Sequence, residues 1–360
     1  MKILYDHQIF SLQKYGGVSK YFSEMLYCMS KEYWTTSVLF SNNEYLKNKK
    51  LLQCKQIFPQ YWFRGQGRLM LEINKPYSIY RILKGDFDVF HQTNFETYCL
   101  PFLKGKPMVT TFHDMNFATY NRDDRMVKLQ KKSVARADKI IAISENTKKD
   151  LVEMWNIAPP KIDVVYHGID ETIPDRLIGE RIVHYPYILY VGRRGGFKNF
   201  QFLAKAFAKI KSQDHYGSLK LVCTSEPLSA TEIAFLQEIK VWNDIIHIAA
   251  SEKTMANLYK YAELFVFPSI YEGFGMPILE AMSYGCPSVI AKASCFPEVA
   301  KDAAVYFDPY DVDDLIYKIT NMLDDKAKRH QYADKGYLRC KDFSWAKTAQ
   351  GHLNVYQSLL

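Results

Sequence analysis

A chain of 360 residues, 48% hydrophobic and 24% charged, has ordinary globular composition and room for two domains of usual size. Its formal net charge of +8 suits an anionic partner. No zinc-finger, RNP-like or dense Lys/Arg motif supports nucleic acid, whereas a phosphorylated small molecule or an anionic membrane face fits the charge as well.

Met1-Lys2-Ile3-Leu4-Tyr5-Asp6-His7 reaches an acid within six residues and reads as a first strand, not a signal peptide. No apolar run approaches about 18 residues, so no spanning helix is expected. The seven cysteines are scattered, with no C-x-x-C, which argues for a reducing cytoplasm and against a disulfide frame or zinc cluster.

After the first strand, Tyr15-Gly16-Gly17-Val18-Ser19 precedes a helix with Val18, Phe22, Met25, Leu26 and Met29 at helical spacing. Paired glycines there let backbone approach a ligand, or simply make a turn. In residues 45–75, Lys47, Lys49, Lys50, Lys55, Arg64 and Arg68 interleave with Leu51, Leu52, Phe58, Tyr61, Trp62, Phe63 and Leu69. That mixture is read as a solvated segment packed by a few aromatics, with a membrane surface as the open alternative. Asp86-Phe87-Asp88 spells D-x-D, but Val89 and Phe90 follow at once, so it reads as a turn entering a buried strand and not as a metal site.

Residues 107–112 form a strand ending at His113-Asp114, and the C-terminal end of a strand in an open α/β sheet is where ligands bind. Asp114 either orients His113 or caps the next turn. Residues 139–144 are a further strand, with Ser144 capping the helix that follows. Residues 171–186 lack periodicity, include Pro174 and Pro186, and are read as a linker.

Tyr187-Ile188-Leu189-Tyr190-Val191 restarts the strand–helix alternation and leads into Gly192-Arg193-Arg194-Gly195-Gly196-Phe197-Lys198-Asn199. The glycines do not fit G-x-G-x-x-G and no suitably placed acid follows, so a dinucleotide fold matches poorly. Two cations on a glycine-rich strand-to-helix loop do suit a diphosphate, with Arg193 or Arg194 supplying the guanidinium. Further on, Leu264-Phe265-Val266-Phe267 is a buried strand, and a glycine-bearing turn hands it to a helix with Pro277 near its start and Gly285 past its end. Unpaired amides at that helix N-terminus suit a phosphate. Glu272 in the loop and Glu280, expected in the first helical turn, would then accept sugar hydroxyls.

The run from Glu272 to Glu280, with Gly273, Phe274, Gly275, Met276 and Pro277 inside it and Ala281-Met282-x-x-Gly285-x-Pro287 behind it, closely resembles the E-x7-E signature of retaining GT-B glycosyltransferases of family GT4. The resemblance covers nearly the whole chain, best over 187–310 and least over about 40–80. It implies an α/β, GT-B fold of two Rossmann-like domains facing a central cleft. Residues 1–175 would bind acceptor, 185–344 would bind donor, and a helix over 345–360 would pack back on the first domain.

The resemblance further implies retaining transfer of a hexose from a nucleotide-sugar, GDP-mannose-like or UDP-linked, to a glycan or lipid-linked glycan acceptor. Surface-polysaccharide assembly is the expected setting. No cofactor, metal or nucleic acid is expected, and the location is cytoplasmic, with peripheral contact at the inner membrane face admitted. On this likeness His113 and Glu272 act on the sugar. Gly17, Arg193, Lys198, Ser251, Gly273, Phe274, Gly275, Met276 and Glu280 bind donor, and Gly16 and Asp114 lie on the acceptor side. Asn199 stands where many members carry Gly. A nucleotide-sugar epimerase of the same fold and a non-catalytic nucleotide-sugar binder are the alternatives.

Overall fold

The computed structural model describes residues 1–59, 61, 63–170, 172 and 174–360; Trp62 lies outside the described residues. Two units divide the chain: Met1–Gly168 with Ser344–Leu360, and Ile169–Phe343.

The first unit is built on six short strands: β1 (Ile3–Tyr5), β2 (Trp34–Thr36), β3 (Val89–Gln92), β4 (Met108–Phe112), β5 (Lys139–Ala142) and β6 (Ile162–Val164). They lie in the order β2-β1-β3-β4-β5-β6 and every pair is parallel. β1, β3 and β4 are buried along their whole length, as strands covered by helices on both faces must be. Among the covering helices are α1 (Gly17–Cys28) and α2 (Gln66–Lys84).

The C-terminal helix, Trp345–Gln357, packs against α1 in this same unit. A buried polar chain fixes it there. Tyr21 Oη lies 2.6 Å from His352 Nε2, and His352 Nδ1 lies 2.9 Å from Tyr356 Oη. Tyr356 Oη is in turn 2.7 Å from both Tyr5 Oη and His91 Nδ1. A chain of partnered polar groups in a dry core specifies one docking geometry, because any other would strand buried donors. Gly168 makes room for the return: a Cβ there would sit 2.3 Å from the Trp345 amide nitrogen.

The second unit repeats the plan with β7 (Tyr187–Tyr190), β8 (Lys220–Cys223), β9 (Ile245–His247), β10 (Leu264–Phe267), β11 (Ser288–Ala291) and β12 (Val305–Phe307). The order is β12-β11-β10-β7-β8-β9, again all parallel. Helices α3 (Phe200–Lys211), α4 (Ala230–Glu238), α5 (Glu252–Tyr261) and α6 (Met276–Ser283) belong to it. Two linked strand runs thus leave β7 in opposite directions, which makes the gap between β7 and β10 the topological switch point. Ligands in open α/β sheets bind outside the strand ends at such a point.

The linker expected over 171–186 is largely not one. Asp175–Ile178 is a short helix, Val183 is buried, and the buried Asn257 of α5 donates to Glu180 O at 2.8 Å and accepts from the Ile182 amide. This stretch is part of the second unit, held by a side chain that periodicity cannot reveal. Among the described residues, no helix is long and apolar enough to cross a membrane. All seven cysteines are unpaired.

Candidate active site

Two loops flank the switch point of the second unit, and one ion pair joins them. The first follows β7. Tyr190, at the end of that strand, donates its hydroxyl to Arg193 O at 2.5 Å and so fixes the start of the glycine loop. Gly196 and Asn199 both take left-handed backbone conformations, at φ +57°. Asn is among the few non-glycine residues that adopt this conformation readily, which accounts for its standing in a place where glycine is usual. The second loop follows β10 and is tied to the first through the Ile270 amide, which donates to Phe197 O at 2.8 Å. Across the two, Lys198 Nζ lies 2.5 Å from Glu272 Oε1, with both side chains largely buried.

The two arginines separate cleanly. Arg194 is buried, its side chain 4% exposed, and its guanidinium fans into Glu232 Oε1 at 2.7 Å and the carbonyls of Thr224, Glu226 and Pro227 at 2.6–3.0 Å. It is wholly engaged in bracing the glycine loop against the segment after β8. Arg193 is 80% exposed and, among the described residues, pairs with the surface carboxylate of Glu226 at 3.3 Å. Of the pair, Arg193 is the one that can turn to a ligand.

Glu272 is braced through its backbone. Ser294 Oγ donates to Glu272 O at 2.7 Å and accepts from its amide at 3.2 Å. Gly275 then opens α6 with φ +87°, and a Cβ there would lie 3.1–3.2 Å from Ile278 and Phe296. Only glycine fits that turn without strain. Pro277 has no N–H and the Ile278 amide donates to Gly275 O at 2.9 Å, so the Gly275 and Met276 amides are the ones at this end with no acceptor one turn back in the helix, where its dipole is positive. Past its other end, the Gly285 amide bonds Met282 O and the Cys286 amide bonds Ala281 O, a Schellman closure.

Three of the expected donor residues also carry structural contacts. Glu280 is not in the first turn, because α6 begins at Met276; it sits a turn deeper and accepts from Tyr259 Oη of α5 at 3.0 Å. The Phe274 side chain is buried against Phe343, ring centroids 5.8 Å apart, so only its backbone remains for a ligand. Ser251 caps α5, accepting from the Thr254 amide at 3.2 Å, and among the described residues it makes no contact with the Lys198–Glu272 pair. Gly273 and Met276 stay where the motif puts them, beside Gly275.

In the first unit His113 stands directly after β4, its ring edge-on to Tyr21 with centroids 4.9 Å apart. Its Nε2 is buried and finds no hydrogen-bond partner among the described residues. Burial pushes its imidazole down to about 3, so it is neutral at ordinary pH. An orphaned polar atom at a strand's C-terminal end calls for an explanation, and a ligand hydroxyl is one. Asp114 caps the following turn, accepting from the Asn116 amide at 2.9 Å. Gly16 and Gly17 form the N-terminus of α1, where Gln13 Oε1 accepts from the Ser19 amide at 3.0 Å. A Cβ on Gly16 would strike that Gln13 side chain at 2.3 Å. Asp86 pairs with Arg81 and Lys84, and Asp88 accepts from the Lys2 amide, so the D-x-D carboxylates serve as the turn they were read to be.

Comparison with known proteins settles the class. Residues 15–173 match the family model for Glycosyltransferase Family 4, and residues 178–339 match that for Glycosyl transferases group 1, together spanning nearly the whole chain. The chain belongs to the family 4 glycosyltransferases. The transferase is 28% identical over 277 residues to the O-antigen chain mannosyltransferase B of Escherichia coli, covering 70% of each chain. It is also 28% identical over 300 residues to an MMP alpha-(1->4)-mannosyltransferase of Mycolicibacterium hassiacum, covering 77% of this chain and 72% of that one. Its fold matches that of Anabaena Alr3699/HepE, solved in complex with UDP-glucose, with a TM-score of 0.76 at 16% identity over 99% of this chain and 100% of that one. The fold is GT-B.

Several residues of the transferase's second unit escaped the sequence reading. Tyr190 and Ser294 bond backbone groups of the two loops. The single legible hint was the polar hydroxyl of Tyr190 ending an otherwise apolar strand. Ser269, in the loop after β10, is fully buried with its hydroxyl unpartnered among the described residues, and nothing in the sequence sets it apart from an ordinary turn serine.

Proposed function

We propose that the transferase moves a hexose, mannose first among candidates, from a nucleoside diphosphate sugar to a glycan hydroxyl in bacterial surface-polysaccharide assembly, with retention of anomeric configuration and without a metal. The observation that carries this reading is the meeting of Lys198 with Glu272 across the switch point, beside the N-terminus of α6. Similarity to two mannosyltransferases supports the sugar, and similarity to an O-antigen enzyme supports the setting. GDP-mannose is the favoured donor and a UDP-sugar the second.

The chemistry needs fixed positive charge where the leaving diphosphate gains negative charge. Arg193, Lys198 and the amides of Gly275 and Met276 supply it, and such preorganised donors are each worth roughly 3 kcal/mol of barrier in other enzymes. Cations held by protein then do what a divalent ion does elsewhere. Glu272 accepts from hydroxyls of the transferred sugar, and Glu280 from the ribose. His113, neutral, offers a hydrogen-bonding nitrogen to the sugar without adding charge to a cation-like transition state. The departing phosphate serves as the base for the acceptor hydroxyl, so no covalent nucleophile is required.

The test is transfer from labelled GDP-mannose and from UDP-sugars to lipid-linked or free glycan acceptors, with chelator present, and assignment of the product anomer by NMR. Retained configuration with chelator supports the reading. Product of inverted configuration, or dependence on added magnesium or manganese, sinks it.

A further inference from the structure

Consecutive residues of α5 are anchored to different parts of the second unit. The Asn257 side chain bonds the Glu180 carbonyl and the Ile182 amide, and the Leu258 carbonyl accepts from Tyr187 Oη at 2.8 Å. Tyr259, 1% exposed, sets its ring edge-on to Phe265 of β10, with centroids 5.7 Å apart. The same ring lies parallel to that of Tyr284, just past the end of α6, with centroids 6.1 Å apart. These anchors and ring contacts fix where the side chain sits and leave its hydroxyl to be explained.

A phenylalanine would fill that space as well. A buried hydroxyl loses its water and is costly unless something accepts its proton. At Tyr259 the acceptor is Glu280 Oε2, 3.0 Å away. Burial, and then the charge of Glu280, raises the Tyr259 hydroxyl well above the usual phenol range, so it stays protonated and donates. The bond differs in kind from the one that Lys198 makes to Glu272. A phenol holds a carboxylate in place without cancelling its charge, whereas an ammonium cancels it. Glu280 also brings several rotatable torsions, and a donor fixed at Oε2 selects one setting among them. A carboxylate that accepts from two neighbouring hydroxyls must present its oxygens at a set tilt, and misplacement by about 1 Å weakens such contacts severely.

We propose that Tyr259 is a positioning residue for the donor's ribose: its hydroxyl holds Glu280 Oε2 so that the carboxylate meets the ribose diol in one orientation, and the site thereby selects nucleotides with that diol intact. The proposal rests on the reading that Glu280 accepts from the ribose, and goes beyond it by assigning the group that makes the contact selective. A site built to hydrogen-bond a hydroxyl rejects the analogue lacking it because its own polar groups are then stranded. That rejection holds only while those groups cannot turn away, and Tyr259 prevents the turning.

The test is titration calorimetry of the full chain with GDP and UDP and with their 2′,3′-dideoxy counterparts, on wild type, Tyr259→Phe, Glu280→Gln and the double variant. The readout is the ratio of affinities for the ribose and dideoxy nucleotides, which a general loss of stability or of diphosphate binding does not move. Wild type should show a ratio of about tenfold or more. Tyr259→Phe should reduce it to about threefold or less, through weaker binding of the ribose nucleotide alone. In transfer assays the loss should fall on the donor KM more than on kcat. Glu280→Gln should lose the ratio too, and adding Tyr259→Phe to it should change nothing further, because a residue acting through another is silent once that other is gone.

A ratio unchanged in Tyr259→Phe, equal weakening of both nucleotides, losses that add in the double variant, or a Tyr259→Phe chain that does not fold would each overturn the proposal while leaving the ribose contact of Glu280 standing. No discrimination by wild type, or no nucleotide binding at all, would instead remove that contact, and the role of Tyr259 with it.

Discussion

Lys198 Nζ and Glu272 Oε1 lie 2.5 Å apart, one on each side of the switch point in the second unit, although 74 residues separate them in the chain. The pair neutralises itself, so under the proposed function an incoming diphosphate would compete with Glu272 for the ammonium. Glu272→Gln should therefore bind nucleoside diphosphate at least as tightly as wild type while losing transfer by about 100-fold or more. Titration calorimetry with GDP and UDP, alongside turnover, separates the two effects. Weaker nucleotide binding with unchanged turnover contradicts the assignment.

The adjacent arginines should fail in opposite ways. Arg194→Ala leaves the partly exposed Glu232 carboxylate and three carbonyls without their shared donor, and stranding groups of this kind costs about 1–3 kcal/mol. Arg193→Ala removes an exposed side chain and should leave the urea midpoint within error, with kcat/KM reduced by about 100-fold. Denaturation and kinetics on the two variants distinguish a brace from a ligand contact.

Gly275→Ala forces a side chain onto a backbone at φ +87° with Ile278 and Phe296 in contact range. The expected cost is about 1–2 kcal/mol of stability, together with displacement of the Gly275 and Met276 amides and loss of donor binding. A variant with wild-type melting temperature and turnover would show that the turn is not under the constraint described.

Acid should loosen the first unit. Burial drives His7, His113 and His352 down to about 3, and holds His91 and His167 well below the usual range. The unfolded chain binds protons at these sites near pH 6.5 and the folded chain does not. Their contribution is thus complete above about pH 6.5 and is lost progressively as pH falls towards 3. Asp6 runs the other way: burial lifts its carboxyl to about 7, so its contribution is present below about pH 4 and fades as pH rises through 7. Five imidazoles outweigh one carboxyl, and the melting temperature should climb between pH 4 and 6.5. His352→Gln should flatten that climb. A flat profile in the wild type would contradict the burial of the cluster.

Much of the second unit was readable because its strands are apolar runs closed by glycine turns. Leu264–Phe267, the left-handed Gly275 and the Gly285 stop all follow from local chemistry. The pairing of residues 193–199 with 272–276 was legible only through the family motif, since nothing in either loop encodes strand order. Less was readable in the first unit. β2 is three residues long, too short to show a period, and α2 hides behind Pro76 and a buried Asn74 that reads as polar surface. The role of Arg194 was open for the same reason: adjacent identical side chains differ only in which carbonyls the folded chain brings to one of them.

The claim on which the rest depends is that protein cations and a helix N-terminus in the second unit grip a sugar-nucleotide diphosphate. Calorimetric titration of GDP and UDP into wild type, Arg193→Ala and Lys198→Ala, all with chelator, tests it most directly. Binding by the wild type that falls by at least about tenfold in each variant is the predicted result. Binding that needs a divalent ion, or that persists undiminished without the Lys198 ammonium, would contradict it.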